Sequence, residues 1–497
     1  MVRAYSPRVS VVVRKRVERR NGVSTRISGR TRIIDLTPLL GDVGGVQTHK
    51  DMHEMSGTFS ITIPDQPERG SGGIVDSLYG LIEPMDYVEI RFARSPEEYA
   101  TANLPDGLPI VMRGFVNSVR RAESLASGTP ARTLTIEGHD YGKIVQIANL
   151  LPLASYATNQ DYQSSFPIFT ELGLNPVGLS ANKFVGTLVD RVMNPFLLMM
   201  REVAIAPGDT GPVQVPLISS DLRVFGAAVA PYGALPPEFR VLDYLDQWCD
   251  LDWNELFMDD RAAGPTLVYR PKPYLRLDGQ KIQDVETPFA LNADNRPLVL
   301  ADVDVISSRL ERSDHDVANF FWVKAPRAFL VESRTLTYNT YSASAGSPPL
   351  QDPDPNCDPA IYGLRPLQRE TQQASAALIG RNPADETETP RLDFETELNA
   401  WMTRRRMTLA DLNRDNAVFE SGSLSIKGNE RIRPGNFFDL TRGDLRARYY
   451  AHAVSHSFQP FRSFTTTVQV ERGTGFYERT RLQSGPAFAE NPRGVYR

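Results

Sequence analysis

Histidine and cysteine are the residues in this chain that could bind a transition metal. The sequence has six histidines and two cysteines: His49, His53, His139, His315, His452, His456, Cys249 and Cys357. His49 and His53 are four residues apart, but the surrounding HKDMHEM lacks the glutamate placement of a zinc-protease helix. His452 and His456 fall in a predicted strand, where this spacing puts them on one face but apart. The cysteines form no CxxC pair. We therefore expect no metal site.

Carboxylates are the other groups that could do chemistry. Several lie close together in the sequence: Asp243, Asp246, Asp250, Asp252, Glu255, Asp259 and Asp260. A glycoside hydrolase needs two carboxylates across a cleft, so a hydrolase of cell-wall or other polysaccharide is one hypothesis, tested at Asp246 or Glu255. The other is that these residues form the solvated face of an amphipathic helix and the beginning of a strand.

Motifs for nucleotide binding and for nucleophilic catalysis are absent from the sequence. There is no GxGxxG after a strand, no phosphate-binding GxxxxGK(S/T), and no GxSxG nucleophile elbow. We therefore expect no catalytic residues and no cofactor, and interpret the protein as one that is not an enzyme.

Charge is distributed unevenly along the chain. The net charge is −5, which argues against a general nucleic-acid footprint. Residues 1–35, however, contain ten Lys or Arg residues. Those that could contact DNA or an acidic partner are Arg14, Lys15, Arg16, Arg19 and Arg20. The alternative is that they form the solvated face of a strand.

No segment of the sequence predicts membrane insertion or export. The most apolar stretch, FLLMM at 196–200, is far too short to cross a bilayer. The N-terminal residues have neither the apolar region nor the cleavage site of a signal peptide. Two cysteines in 497 residues suit a reducing compartment. The expectation is a soluble protein that is assembled in the cytoplasm without stable membrane insertion.

The elements that carry these residues are mainly strands. In GTFSITIPD, Phe59, Ile61 and Ile63 alternate with polar residues, which is typical of a half-buried strand. The patterns predict a β-rich α+β fold with several domains. The predicted domains are a first barrel at 1–150, an α+β insertion at 151–300, a second barrel at 301–340 and 416–480, a loop and helix at 341–415, and a tail at 481–497.

An internal repeat supports the two barrels. IEPMDYVEI at 82–90 resembles IRPGNFFDL at 432–440, and each lies between similar strands: GTFSITI precedes the first and GSLSIKG, which ends at Gly428, precedes the second. Pro84 and Pro434 would fix φ for a tight turn, and Asp86 or Asn436 could bond the turn backbone. Gly435 would supply a positive φ where the first copy has Met85.

The repeat predicts one small antiparallel β-barrel that occurs twice, the second copy interrupted by insertions. The alternative is coincidence, because alternating strands and proline turns are common. Two barrels per chain would let three chains place six similar units in a ring. Sheets joined around such a ring would occupy strand edges that otherwise invite aggregation.

The chain resembles the baseplate hub proteins of contractile-tailed bacteriophages, the late control protein D family, which is related to the trimeric spikes of type VI secretion. The resemblance covers roughly residues 5–480. The stretches that carry it, besides the repeat, are IVMRGFVNSV, LTIEGHDYGK, NELFMDD, GPTLVYRPKPY, RSDHDVANFFWV, YGLRPL and HAVSHSF.

This resemblance implies a ring-shaped homotrimer of pseudo-sixfold symmetry with two tube-protein-like barrels per chain. Such a hub joins the sixfold tail tube to the threefold central spike, nucleates the tube, and leaves a channel for DNA that is not read by sequence. The implied partners are the spike, the tube or tube-initiator protein, baseplate wedge proteins and the tape measure protein. Because no needle repeat is present, the spike tip is expected to be a separate protein. The alternatives are the base of a type VI secretion spike and a tail-associated cell-wall hydrolase.

Overall fold

The computed structural model describes residues 6–15, 33–41, 44–65, 68–69, 75–76, 78–100, 102, 104, 107–126, 129–149, 178–203, 215–230, 240–277, 282, 297–324, 350–351, 354–380, 388–442 and 445–474. Within them the fold is β-rich α+β, as the sequence predicts. Among these residues, no helix combines the length and the apolar character needed to cross a bilayer. Arg16, Arg19, Arg20 and the predicted tail at 481–497 lie outside the described residues.

The N-terminal part consists mainly of strands. They are β1 (Arg8–Arg14), β2 (Ile33–Asp35), β3 (Gly45–Asp51), β4 (Thr58–Pro64), β5 (Glu68–Arg69), β6 (Val75–Asp76), β7 (Tyr87–Ala93), β8 (Ile110–Ala126) and β9 (Thr129–Asp140). The short helices α1 (Leu78–Leu81) and α2 (Gly142–Ile147) accompany them. In β4 the predicted alternation is confirmed: Phe59, Ile61 and Ile63 are buried, and the residues between them are partly exposed. Burying such side chains contributes about 1.5–3 kcal/mol each.

The middle part mixes helices and strands. Its elements are β10 (Leu179–Ser180), α3 (Ala181–Leu188), α4 (Asn194–Val203), β11 (Ser219–Leu222), β12 (Ala227–Val229), α5 (Val241–Trp248), β13 (Asn254–Arg261) and β14 (Gly264–Pro271). One π-helical turn, Val189–Met193, joins α3 to α4 just before Pro195. Proline lacks the N–H that a regular helix would use at this point, and the wider turn lets the helix continue instead of ending.

The C-terminal part returns to strands around one long helix. Its elements are β15 (Leu298–Ala301), β16 (Val305–Glu311), β17 (Phe320–Lys324), β18 (Leu350–Gln351), α6 (Pro359–Tyr362), β19 (Pro366–Glu370), β20 (Gln373–Ser375), α7 (Glu388–Asn413), β21 (Glu420–Lys427), β22 (Asn436–Arg442), β23 (Leu445–Gln459) and β24 (Ser463–Thr474). Although β17 falls within 301–340, it pairs with β18 and β19 in a separate sheet.

One sheet of thirteen described strands runs through the first and last parts of the chain. Its strand order is β16-β21-β24-β23-β3-β4-β9-β8-β7-β1-β2, with β22 paired to β23 and to β15. The link between the N-terminal and C-terminal strands is the antiparallel pair β3–β23, in which Val46 lies opposite Phe458 and Lys50 opposite Val454.

The strand order contains the same succession twice. The first strand set is β3-β4-β9-β8-β7-β1, and the second strand set is β16-β21-β24-β23-β22-β15. Both sets have a bulge at the corresponding point, after Val116 in β8 and after Ala451 in β23. The sets differ at their ends, because β1 pairs with β7 antiparallel whereas β15 pairs with β22 parallel.

Each strand set has its own apolar core. The first core contains Ile61, Ile90 and Ile136, and the second contains Leu424, Leu440 and Val468. Phe458 and Phe464, which come from the second set, nevertheless pack in the first core. A third and larger core lies among α3, α4, α5, β13 and β14.

Candidate assembly site: the paired turns and the strand junction

The first predicted turn, at Pro84 and Met85, leads into β7. Met85 has a φ of 76°, and its N–H donates to the Val116 carbonyl at 2.7 Å. The Asp86 carboxylate accepts a hydrogen bond from the backbone N–H of Glu83 at 2.9 Å. This is the bond to the turn backbone that the sequence predicts for Asp86.

Lys15 lies at this turn and not on an open face. Its side chain is 5% exposed, and its Nζ is 3.5 Å from the Asp86 carboxylate, which is fully buried. The Lys15 ammonium also donates to the Leu81 carbonyl. The charge of Lys15 is therefore engaged inside the fold. Contact of Arg14 with DNA or a partner stays a prediction.

The second predicted turn, at Pro434 and Gly435, leads into β22. Gly435 has a φ of 81°, and its N–H donates to the Ala451 carbonyl at 2.8 Å. Asn436 follows and pairs through its backbone with Ala451. A Cβ on Gly435 would stand 2.7 Å from Nη2 of Arg270, so a side chain does not fit here without displacement.

Gly428 lies where β21 ends and ties the second strand set to the first. Its N–H donates to the Phe464 carbonyl at 2.8 Å. A Cβ at this position would lie 2.0 Å from the Phe464 ring. That ring packs 5.3 Å from the ring of Phe92 on β7. Glycine at 428 therefore lets an aromatic side chain of one set reach the core of the other.

His456, on β23, is buried in this junction. Its Nδ1 lies 2.9 Å from the hydroxyl of Thr466, and its ring lies 6.0 Å from the ring of Phe92. Burial, and to a lesser degree the nearby Arg433, lowers the pKa of His456 to about 3. The imidazole is therefore neutral near pH 7, as an apolar junction requires.

A buried group of charges connects β13 of the middle part to the junction. Lys50 Nζ is 2.7 Å from Asp260 and 3.3 Å from Asp140. Burial alone would lower the pKa of Lys50, but these two carboxylates outweigh it, and the pKa lies above its usual value. Arg433, next to the second turn, is 3.2 Å from Asp259 and also donates to the carbonyl of Asp260. The second turn is thus anchored to the middle part by charge.

Two of the carboxylates named in the hydrolase hypothesis line the same cavity. Asp246 and Glu255 both line a cavity of about 380 Å³, together with Lys272, Tyr274 and His452. Glu255 is fully engaged, because Arg270 Nε lies 2.9 Å from one carboxylate oxygen and the Tyr450 hydroxyl donates to the other at 2.6 Å. Burial raises the pKa of Glu255, although Arg270 opposes that effect.

Sequence reasoning did not identify the Arg270–Glu255–Tyr450 group or the charges around Lys50. The only sequence signal for them was the cluster of carboxylates at 243–260, which predicts neither partner. Within the described residues, no cluster of three or more His, Cys, Asp or Glu side chains could hold a metal ion. The described cysteines, Cys249 and Cys357, are buried and form no disulfide.

Similarity to known proteins is found at the level of solved structures. No protein-family model matches the chain, and a search of curated proteins finds no match. The chain is similar to the 43 kDa tail protein of prophage MuSo2 from Shewanella oneidensis, with 12% identity, a TM-score of 0.45, and coverage of 94% of this chain and 98% of that one. It is similar to a tail protein from Neisseria meningitidis MC58, with 11% identity, a TM-score of 0.46, and coverage of 94% and 97%. It is also similar to a Francisella PdpA–VgrG complex, with 8% identity, a TM-score of 0.37, and coverage of 94% and 58%.

Proposed function

We propose that this chain is a structural protein of a phage tail, a baseplate hub that works as a ring-shaped homotrimer. The observation that supports this most directly is the strand succession that occurs twice and is joined by β3–β23 within one chain. If each strand set forms one tube-like barrel, three chains supply six similar units around a threefold axis. Such a ring fits a sixfold tube on one face and a threefold spike on the other.

The proposed ring has a role as a hub. It joins the tail tube to the central spike, nucleates the tube, and leaves a central channel through which DNA passes without being read by sequence. Its partners are the spike, the tube or tube-initiator protein, wedge proteins and the tape measure protein. The protein is assembled in the host cytoplasm and resides in the tail of the virion.

Light scattering on the purified chain, alone and mixed with the spike and tube proteins, tests the trimer. The expected mass is three times the 55.4 kDa of one chain, and images down the particle axis should show six similar densities. A chain that remains a monomer in every mixture contradicts the proposal. A trimer that binds a secretion needle, and does not bind a phage tube, would favour the base of a type VI spike.

A cell-wall hydrolase is the second candidate, because Asp246 and Glu255 line one cavity. The engagement of both Glu255 oxygens argues against it, since a catalytic carboxylate must reach its substrate. Incubation of the protein with peptidoglycan tests it. Hydrolysis that is abolished by Asp246→Asn would establish the enzyme, and we expect none.

A further inference from the structure

Several edges of the main sheet lack a partner among the described strands, and besides β2 and β15 they are β16 and part of β8. At one end of the sheet, β16 pairs with β21 alone. In the other strand set, β7 covers β8 only as far as Phe115, so the segment of β8 from Ser118 onward pairs with β9 on one side and has an open second side. In the second set, the equivalent segment of β23 is covered by β3.

We propose that β16 of one chain pairs antiparallel with the open edge of β8 in a second copy of the chain, in the register of the internal β3–β23 junction. This inference rests on the proposed trimer and names the edges that build it. In the internal junction, β3 of the first set pairs with β23 of the second set. The strand equivalent to β3 is β16, and the segment equivalent to the paired part of β23 is β8 from Ser118 onward. Both therefore have a free edge where their equivalents are paired with each other.

The register follows from rows of residues that face one another across the sheet. In the first set the row is Val46, Ile61, Ile136 and Val119. In the second set the row is Ser308, Leu424, Val468 and Val454. Ser308 is therefore equivalent to Val46, and Val119 to Val454.

The internal junction then fixes each pair between chains. Val46 lies opposite Phe458, and the residue of β8 equivalent to Phe458 is Glu123. Ser308 of one copy thus lies opposite Glu123 of the other. Counting along the two strands places Leu310 opposite Arg121 and Glu311 opposite Arg120.

The charges of the two edges favour this register. Glu311 is exposed. The side chain of Arg120 is 72% exposed, and its guanidinium, which lies 3.2 Å from Glu137 of the same chain, can be shared with a second carboxylate. Opposite charges that face each other across strands contribute about 0.2–1 kcal/mol, and like charges are unfavourable. A slip of two residues would place Arg309 opposite Arg120.

The external junction is more polar than the internal one. Glu123 and Arg121 stand where the internal junction has Phe458 and His456. Charged residues on an open edge prevent unselective pairing, so these edges discriminate in favour of a partner with the matching charge. Because the two edges lie on different strand sets, the contact is head to tail. Such a contact closes into a ring when each junction turns by the right angle, and the equivalence to the internal junction supplies a turn of about one sixth in the proposed trimer. Three junctions within chains then alternate with three between chains.

Cysteine pairs test the register in the full-length chain. Glu311→Cys combined with Arg120→Cys should give covalent dimers and trimers under mild oxidation, because the two positions face each other. The matched control is Leu310→Cys with Arg120→Cys, whose side chains point to opposite faces of a strand pair and should cross-link little. The native Cys249 and Cys357 are buried and give a low background.

The outcomes separate this inference from the proposed function. A trimer by light scattering without cross-links in the facing pair, or with equal cross-links in the control, overturns the edge assignment and leaves the hub intact. A chain that stays monomeric with spike and tube proteins overturns both.

Charge reversal provides a second measurement. Glu311→Arg or Arg120→Glu alone should weaken trimerisation about tenfold, which corresponds to about 1.4 kcal/mol summed over three junctions. The two reversals together should restore it in part, because the new carboxylate at position 120 also faces Glu137 of its own chain. Equal weakening by the double variant would contradict the direct pairing.

Discussion

Met85 and Gly435, 350 residues apart by their numbering, occupy equivalent turn positions. Their φ angles are 76° and 81°, and their N–H groups donate to Val116 and Ala451, the residues that precede the two equivalent bulges. Methionine tolerates the conformation in the first turn. Glycine is required in the second because Arg270 occupies the space of a Cβ.

Replacement of Gly435 should therefore lower the stability of the fold by more than its φ angle alone predicts. For Gly435→Ala we expect a loss of about 2–4 kcal/mol in the free energy of unfolding, which combines a left-handed backbone with the contact to Arg270. The matched control is Gly380→Ala, where φ is 84° and nothing lies within 4 Å of the new Cβ. It should lose only about 1–2 kcal/mol. Equal losses in urea denaturation would show that the contact with Arg270 relaxes freely.

The Lys15–Asp86 pair should stabilise the first turn. Asp86→Ala leaves a buried ammonium without its carboxylate and removes the bond to Glu83, so we expect a loss of about 3–5 kcal/mol. Lys15→Met, which removes the charge but keeps the length, should cost less. The double variant Lys15→Met with Asp86→Asn should recover part of the loss.

A DNA-binding assay that compares variants of Lys15 and Arg14 tests whether Lys15 has a purely structural role. Since its ammonium is engaged in the fold, Lys15→Met should leave the affinity for DNA unchanged, whereas Arg14→Ala should weaken it if the basic segment contacts DNA. A fall in affinity for the Lys15 variant at constant stability would contradict the structural role.

Local patterns predicted the local features of this molecule. The alternation in β4 and the positive φ at Gly435 follow from residue types over a few positions, whereas the positive φ of Met85 does not, because methionine rarely adopts it. The sequence aligned the glycines that begin GTFSITI and GSLSIKG, but the pairing makes Gly422 equivalent to Phe59. Alternating strands look alike after a shift of two residues, so only cross-strand partners fix the register.

Long-range relationships could not be predicted in the same way. Nothing near Lys15 in the sequence indicates Asp86, and nothing near Glu255 indicates Tyr450. The β3–β23 junction joins segments about 400 residues apart, with Ser455 opposite His49. Such contacts depend on the tertiary fold, which brings together residues whose local patterns are unrelated.

Stability should fall in acid partly because of His456. Its pKa is about 3 in the folded state, against about 6.5 for an unperturbed histidine. Between these values the unfolded chain binds a proton that the folded chain does not, so stability falls as pH decreases below about 6.5, by up to about 1.4 kcal/mol per pH unit. In His456→Gln this part of the slope should disappear. Urea midpoints at pH 7 and pH 5 measure it, and an unchanged difference between the two pH values would contradict a neutral buried imidazole.

Glu255 should act through stability and not through catalysis. Glu255→Gln leaves Arg270, which is 5% exposed at its side chain, without its carboxylate, so we expect a loss of about 3–5 kcal/mol. Tyr450→Phe removes one hydrogen bond to a charged group and should cost about 1.5–3 kcal/mol. Asp246→Asn, at the exposed side of the same cavity, is the control and should change stability by less than about 0.5 kcal/mol. A catalytic pair would give the reverse order: loss of a measurable hydrolytic activity in both carboxylate variants, with stability little changed in either.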